Sequence, residues 1–167
     1  MVPTLFLPYV LLAWVACSTD WKAHLEPGRS GKSVVVLEDA GSSRRIPVAW
    51  PVWTFQRGDV DRDGCDELVL GVVKRNRFDS TARRRVQVWR VDRGRLRPGW
   101  LGTRLGGVLD TFAIDDSGRL VVREQSGSRW QVSRWRWNTF GFERDSVLAG
   151  GLRRPRFPQI PRRRNPL

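Results

Sequence analysis

Residues 59–74 read Asp59-Val60-Asp61-Arg62-Asp63-Gly64-Cys65-Asp66-Glu67-Leu68-Val69-Leu70-Gly71-Val72-Val73-Lys74, an acidic turn running straight into a valine-rich apolar stretch. The second half sets the fold class. Apolar runs that are short, rich in β-branched residues and bounded by Gly, Asp or Ser read as strands. Four other segments repeat this signature: Ser33–Leu37, Val86–Val91, Leu120–Arg123 and Trp130–Trp137. Val86 and Val88 alternate with Gln87 and Trp89, the period of two of a pleated strand. In the last segment Trp130 and Val132 share one face while Trp135 and Trp137 share the other; a bulge between Val132 and Trp135 is expected to bring all four to one side. Asp92-Arg93-Gly94 suits a hairpin turn, and Gly118 and Gly127 fall in further connections. Nowhere in 31–150 does an apolar i, i+3, i+4, i+7 series persist, so the expected class is all-β.

A faint repeat underlies these strands. Asp59–Leu70 is an acidic turn followed by an apolar strand, and Asp115–Val122 (DDSGRLVV) is a degraded copy of it. Each precedes a tryptophan-bearing strand, at an offset of roughly 50 residues, a spacing used by propellers and arrays. Two and a half such units are too few to close a propeller, which needs about four blades or more. The expected object is a small stack of blade-like antiparallel sheets resembling part of a β-propeller. Its open flank would expose strand edges, for which Arg83, Arg84 and Arg85 are candidate protection.

The acidic turn carries the chemistry. Hard divalent cations take about six to eight oxygens, and alternate residues of a tight loop supply them. Asp59, Asp61 and Asp63 occupy loop positions one, three and five, Gly64 permits the sharp turn, the Cys65 carbonyl falls at seven and Glu67 at nine. An EF-hand needs a bidentate acid at position twelve and flanking helices, but position twelve is Leu70 and a strand follows. The alternative is a metal-free turn whose aspartates bond their own backbone, with Arg57 and Arg62 offsetting part of the charge. Asp115 and Asp116 lack three alternating oxygens, so no ion is expected at the second turn.

The stretch Gly58-Asp59-Val60-Asp61-Arg62-Asp63-Gly64, continued by Asp66-Glu67-Leu68-Val69-Leu70-Gly71, resembles the FG-GAP repeat of integrin α-subunits and its bacterial, VCBS-type relatives. Those carry Asp-x-Asp-x-Asp-Gly-x-x-Asp loops between two strands of a propeller blade; here Glu67 replaces the last Asp. The resemblance implies one structural Ca²⁺ held by side-chain oxygens of Asp59, Asp61, Asp63 and Glu67 and the backbone oxygen of Cys65.

The termini read differently. Residues 1–16 are uncharged and mostly apolar, too short for a membrane span of about 20 residues and suited to a signal-peptide core. Trp14-Val15-Ala16-Cys17 resembles a bacterial lipobox, which implies a lipidated Cys17 anchored in a membrane, and Ser18 after it implies an outer-membrane lipoprotein in a double-membraned bacterium. An ordinary secretory signal is the alternative, and Cys17 can instead pair with Cys65, the only other cysteine. Residues 17–30 read as a tether, with His24 a solvated residue rather than a ligand, and 31–150 as the β domain. Residues 151–167 (GLRRPRFPQIPRRRNPL) hold Arg153, Arg154, Arg156, Arg162, Arg163 and Arg164, four prolines and no acid. Prolines remove backbone donors and like charges repel, so a disordered tail is expected.

Thirty Lys+Arg against 17 Asp+Glu leave a formal charge of +13. Such an excess attracts polyanions, and in an exported chain envelope phosphates are nearer than nucleic acid. Nucleophilic catalysis has little to work with: the one histidine lies in the tether, and no Gly-x-Ser-x-Gly or phosphate-cradling loop occurs. Asp110, Glu124 and Glu143 are the carboxylates left for a glycan-processing enzyme. Of the nine tryptophans, Trp50, Trp53, Trp89, Trp100, Trp130, Trp135 and Trp137 lie in or beside strands as core filling, with Trp100 and Trp137 the candidates for a binding platform. The resulting expectation is a non-catalytic envelope lipoprotein that binds or assembles with an envelope protein or glycan. Its alternatives are polyanion binding through the arginine tail and divergent glycan processing.

Overall fold

The computed structural model describes Cys17 and residues 20–77, 79–102 and 105–160; the signal segment and Arg162, Arg163 and Arg164 lie outside them. The chain is all-β, arranged as three consecutive antiparallel meanders. The first sheet holds β1 (Lys22–Pro27), β2 (Ser33–Asp39) and β3 (Ser42–Val48) in that order. The middle sheet holds β4 (Val52–Gly58), β5 (Glu67–Asn76), β6 (Asp79–Asp92) and β7 (Arg95–Trp100). The third holds β8 (Val108–Ile114), β9 (Leu120–Ser126), β10 (Arg129–Asn138) and β11 (Gly141–Gly151). None closes into a barrel, and the middle and third sheets realise the two longer units of the repeat.

The middle sheet is buried on both faces, which is why β5 reads as a nearly continuous apolar run instead of an alternating one. Leu68, Leu70 and Val72 point to the first sheet and pack with Trp21, Val35, Leu37 and Val48. Val69, Val86 and Val88 point the other way and pack with Leu109, Phe112, Leu120, Val122 and Trp135 of the third sheet. Each such fully buried Val or Leu contributes about 1.5–3 kcal/mol by leaving water. Gln87 on β6 is also fully buried, and its Oε1 accepts from the Trp89 indole at 3.2 Å. The expected hairpin at Asp92-Arg93-Gly94 joins β6 to β7, with Arg93 and Gly94 both in the left-handed region (φ 49° and 69°), the geometry of a type I′ turn.

Four expectations need correction. Residues 17–30 are not a bare tether: Trp21 is 1% exposed and β1 pairs with β2 along its length, with His24 opposite Val36 and its Nε2 3.5 Å from Glu26. β10 is not bulged; it pairs with β9 without interruption, so Trp130 and Val132 stay on the opposite face from Trp135 and Trp137. The extra residues sit in β11, where the register against β10 skips Asp145 and Leu148. Arg83, Arg84 and Arg85 do lie where β6 is unpaired on one side, since β7 pairs only with 88–92. They depart from the expectation in being engaged, Arg85 being 4% exposed and bonding Asp79 while Arg84 donates to the Asp110 carbonyl of the third sheet.

The fourth correction concerns the tail. Residues 152–160 form neither helix nor strand, as their prolines lead one to expect, but are docked against the third sheet instead of disordered. Arg154 bonds Asp110, Arg123 of β9 donates to the Pro155 carbonyl, and Phe157, Pro158, Gln159 and Ile160 wall a cleft of about 540 Å³ between β4 and β8.

Candidate metal centre

The β4–β5 connection is built around two left-handed residues, Arg62 (φ 63°) and Gly64 (φ 88°). They fold 59–66 back on itself so that Glu67, the first residue of β5, faces Asp59 and Asp61. Carboxylate oxygens of Asp59, Asp61 and Glu67 lie within 4.8 Å of one another, so these three residues are able to hold a metal ion. Asp63 is not among them; its Oδ1 accepts the Cys65 N–H at 2.8 Å at the exposed tip of the loop.

Part of the loop is an ordinary self-bonded turn. Asp59 Oδ2 accepts from Gly64 N at 3.1 Å and Asp61 Oδ1 from Asp63 N at 3.3 Å. The rest is not accounted for in that way. Asp59 Oδ1 is buried with no hydrogen-bond partner. Glu67 is 1% exposed, with the Val60 N–H donating to its Oε2 at 2.9 Å. Burial pushes the Glu67 carboxyl up to about 8; the Val60 N–H opposes this, and the neighbouring charges of Asp61, Asp63 and Asp59 add to it. A buried carboxylate oxygen without a donor, beside a second buried carboxyl, is the environment in which a bound cation offsets both desolvation and repulsion. The donor set therefore fits a hard cation.

Two arginines border the site, one of them unforeseen. Arg57 does as expected in offsetting charge, but on Asp66, at 2.7 Å; it also donates to the Trp21 carbonyl at 2.6 Å and stacks over that indole. Arg62 turns away to the Ser117 carbonyl. The unforeseen group is Arg90 of β6, whose Nη2 lies 2.5 Å from Asp61 Oδ2. It arrives there because β5 and β6 pair Glu67 with Arg90, a register no local motif announces.

The loop is also tied to the N-terminal segment. Cys65 and Cys17 form a disulfide with Cα atoms 5.6 Å apart. Of the two fates open to Cys17 the structure shows the disulfide, and a sulfur so bonded cannot carry a lipid. Disulfides persist in oxidising compartments, which fits an exported protein. Among the described residues no helix is long and apolar enough to cross a membrane.

The second acidic turn stacks on the first. Gly118 (φ 75°) approaches the Asp59 carbonyl so closely that a Cβ there would overlap it. Asp115 Oδ1 accepts from Ser117 N, Ser117 Oγ and Arg119 N, and its Oδ2 pairs with Arg134 at 2.9 Å. Burial raises the Asp115 carboxyl, but these bonds and the Arg134 charge outweigh it and hold the group below its ordinary value.

The other candidates are engaged elsewhere. Glu124 is 3% exposed and accepts the Gly106 and Gly107 N–H groups, Glu143 pairs with Arg136, and Asp110 binds Arg123 and Arg154. Trp100 and Trp137 are half-buried and meet Phe142 edge-on, each at 5.3 Å, so they close the end of the core and do not form an open platform. No protein-family model matches the chain, and neither curated proteins nor solved structures show a match to it.

Proposed function

We propose that this chain is a non-catalytic binding or assembly module of the cell envelope whose acidic loop holds one structural Ca²⁺. The observation that carries the reading is the cluster of Asp59, Asp61 and Glu67, together with the buried, unpartnered Oδ1 of Asp59. Asp59, Asp61 and Glu67 would hold the ion, with the Cys65 carbonyl and Asp63 as further oxygens of the same loop. The cation would supply charge neutralisation only, fixing the start of β5 and through it the sheet that both cores share. The likeness of 58–71 to FG-GAP loops supports Ca²⁺ as the cation. The apolar leader and the disulfide support export, and a lipid anchor on Cys17 would require the unpaired thiol, so the disulfide-bonded form is the unanchored one. Polyanion binding through the tail is the weaker reading, because Arg154 is taken by Asp110.

Thermal unfolding in EDTA and in about 10 mM Ca²⁺ tests the metal. For a site of about 10⁻⁴ M, linkage gives about 2.7 kcal/mol, a rise of roughly 5–10 °C. The rise should vanish in an Asp61→Ala, Asp63→Ala variant. Equal unfolding temperatures in the two buffers would leave a metal-free turn and end the calcium reading.

A further inference from the structure

The docked tail shows what the third sheet recognises. Its outer face presents Asp110, displaced outward where β8 skips a residue against β9, together with Arg123 of β9 and Trp130 at the start of β10. One Arg154 nitrogen bonds both Asp110 oxygens at 2.8 Å, and the Arg154 guanidinium lies over the Trp130 ring at 5.4 Å. Arg123 does three things at once. It bonds Asp110 at 2.6 Å, donates to the Pro155 carbonyl at 3.0 Å and stacks on Phe157 at 5.6 Å. An acid that takes an arginine, an aromatic ring that covers it, and a fixed donor for the next carbonyl make a pocket that reads Arg-Pro-x-Phe in an extended peptide.

On the sheet's side the occupant is held through side chains. Among the described residues no backbone–backbone hydrogen bond joins 152–160 to a strand, and Pro155 and Pro158 have no N–H to offer one. The segment follows Gly150-Gly151, and the first tail residues are exposed, Leu152 by 73%. Such a segment can leave without disturbing the sheet it covers.

We infer that the Asp110–Arg123–Trp130 pocket is a receptor for this Arg-Pro-x-Phe segment, masked in one chain by its own tail and filled in assembly by the tail of a second copy. The second copy is the matched partner because it carries the same segment, leaving the same end of β11. The inference deepens the binding-or-assembly reading above and does not depend on the metal.

Two full-length variants separate the pocket from the segment. Arg154→Ala with Phe157→Ala leaves the pocket empty; Asp110→Asn leaves the tail free. A fluorescently labelled Asp110→Asn chain is titrated with each partner and followed by anisotropy, in EDTA and in Ca²⁺. The empty-pocket variant should bind it at least tenfold more tightly than does the unchanged chain, whose own tail competes at an effective concentration of about millimolar. It should also exceed binding by Asp110→Asn itself, and an unlabelled peptide of residues 152–160 should displace the labelled chain. Cooperative unfolding of each variant is checked first; were Asp110→Asn not to fold, the labelled 152–160 peptide takes its place. Equal binding by all partners, or none, would overturn the inference and reduce the tail to a fixed cover. Because the pocket lies on the third sheet, that failure would leave the calcium-dependent unfolding shift untouched.

Discussion

The two acidic turns occupy corresponding places, one between the first two strands of the middle sheet and the other between the first two strands of the third, and they touch through Gly118 and the Asp59 carbonyl. They solve the problem of turn charge in opposite ways. At 115–119 one aspartate spends its oxygens on three local donors and Arg134, and its charge is satisfied. At 59–67 the carboxylate oxygens outnumber the donors, one buried oxygen has none, and a buried glutamate is held toward its neutral form. The difference teaches that carboxylate count alone does not mark a cation site; what marks it is buried oxygen beyond what the backbone can satisfy.

The largest test of this comparison breaks the contact between the turns. Gly118→Ala adds a Cβ where the backbone is left-handed and the Asp59 carbonyl already sits, and should cost about 2–4 kcal/mol in chemical denaturation. Next is Glu67→Gln, which keeps the shape and removes the charge. It should unfold no earlier than the parent chain in EDTA, while the calcium increment falls from about 2.7 to below about 1 kcal/mol. Asp115→Ala should cost about 2 kcal/mol and leave the calcium increment intact. Its pH dependence has a definite sign. The Asp115 carboxyl is held below its ordinary 3.8, so its contribution is complete above that value and is lost as pH falls through the lowered folded value. The gap between parent and variant should therefore be full near neutrality and close in acid. The smallest effect belongs to Arg90, a half-exposed competitor for Asp61. Arg90→Ala should tighten Ca²⁺ two- to fivefold in calorimetric titration, about 0.4–1 kcal/mol.

A parallel contrast separates interior from edge strands. Ser33–Leu37, Glu67–Lys74, Val86–Val91, Leu120–Arg123 and Trp130–Trp137 fall in β2, β5, β6, β9 and β10, all interior to their sheets. The strands without a sequence signal are β1, β3, β4, β7, β8 and β11, all edges. An edge strand has one side unpaired and is commonly kept polar, short or proline-bearing, as in Ser42-Ser43-Arg44-Arg45-Ile46-Pro47-Val48. Its strand character comes from the neighbour it pairs with, so its own residues report little. The tail misled for a related reason. A run of arginines and prolines disfavours regular structure, but whether such a segment floats or docks depends on Asp110, Arg123 and Trp130, far off in sequence.

What the sequence determined by itself is local: the all-β class, the interior strands, the tight turn at Gly64 and the crowding of Asp59, Asp61, Asp63 and Glu67 in one loop. These follow from side-chain periodicity and backbone sterics acting over a few residues. The tertiary structure alone decided which oxygens are buried and which are answered. It withdrew Asp63 to the loop tip, placed Arg90 on Asp61 through the β5–β6 register, joined Cys17 to Cys65 and folded the tail onto the third sheet. All but the first of these are contacts between segments distant in the chain, and the desolvation and charge that give the site its chemistry exist only once those segments have packed.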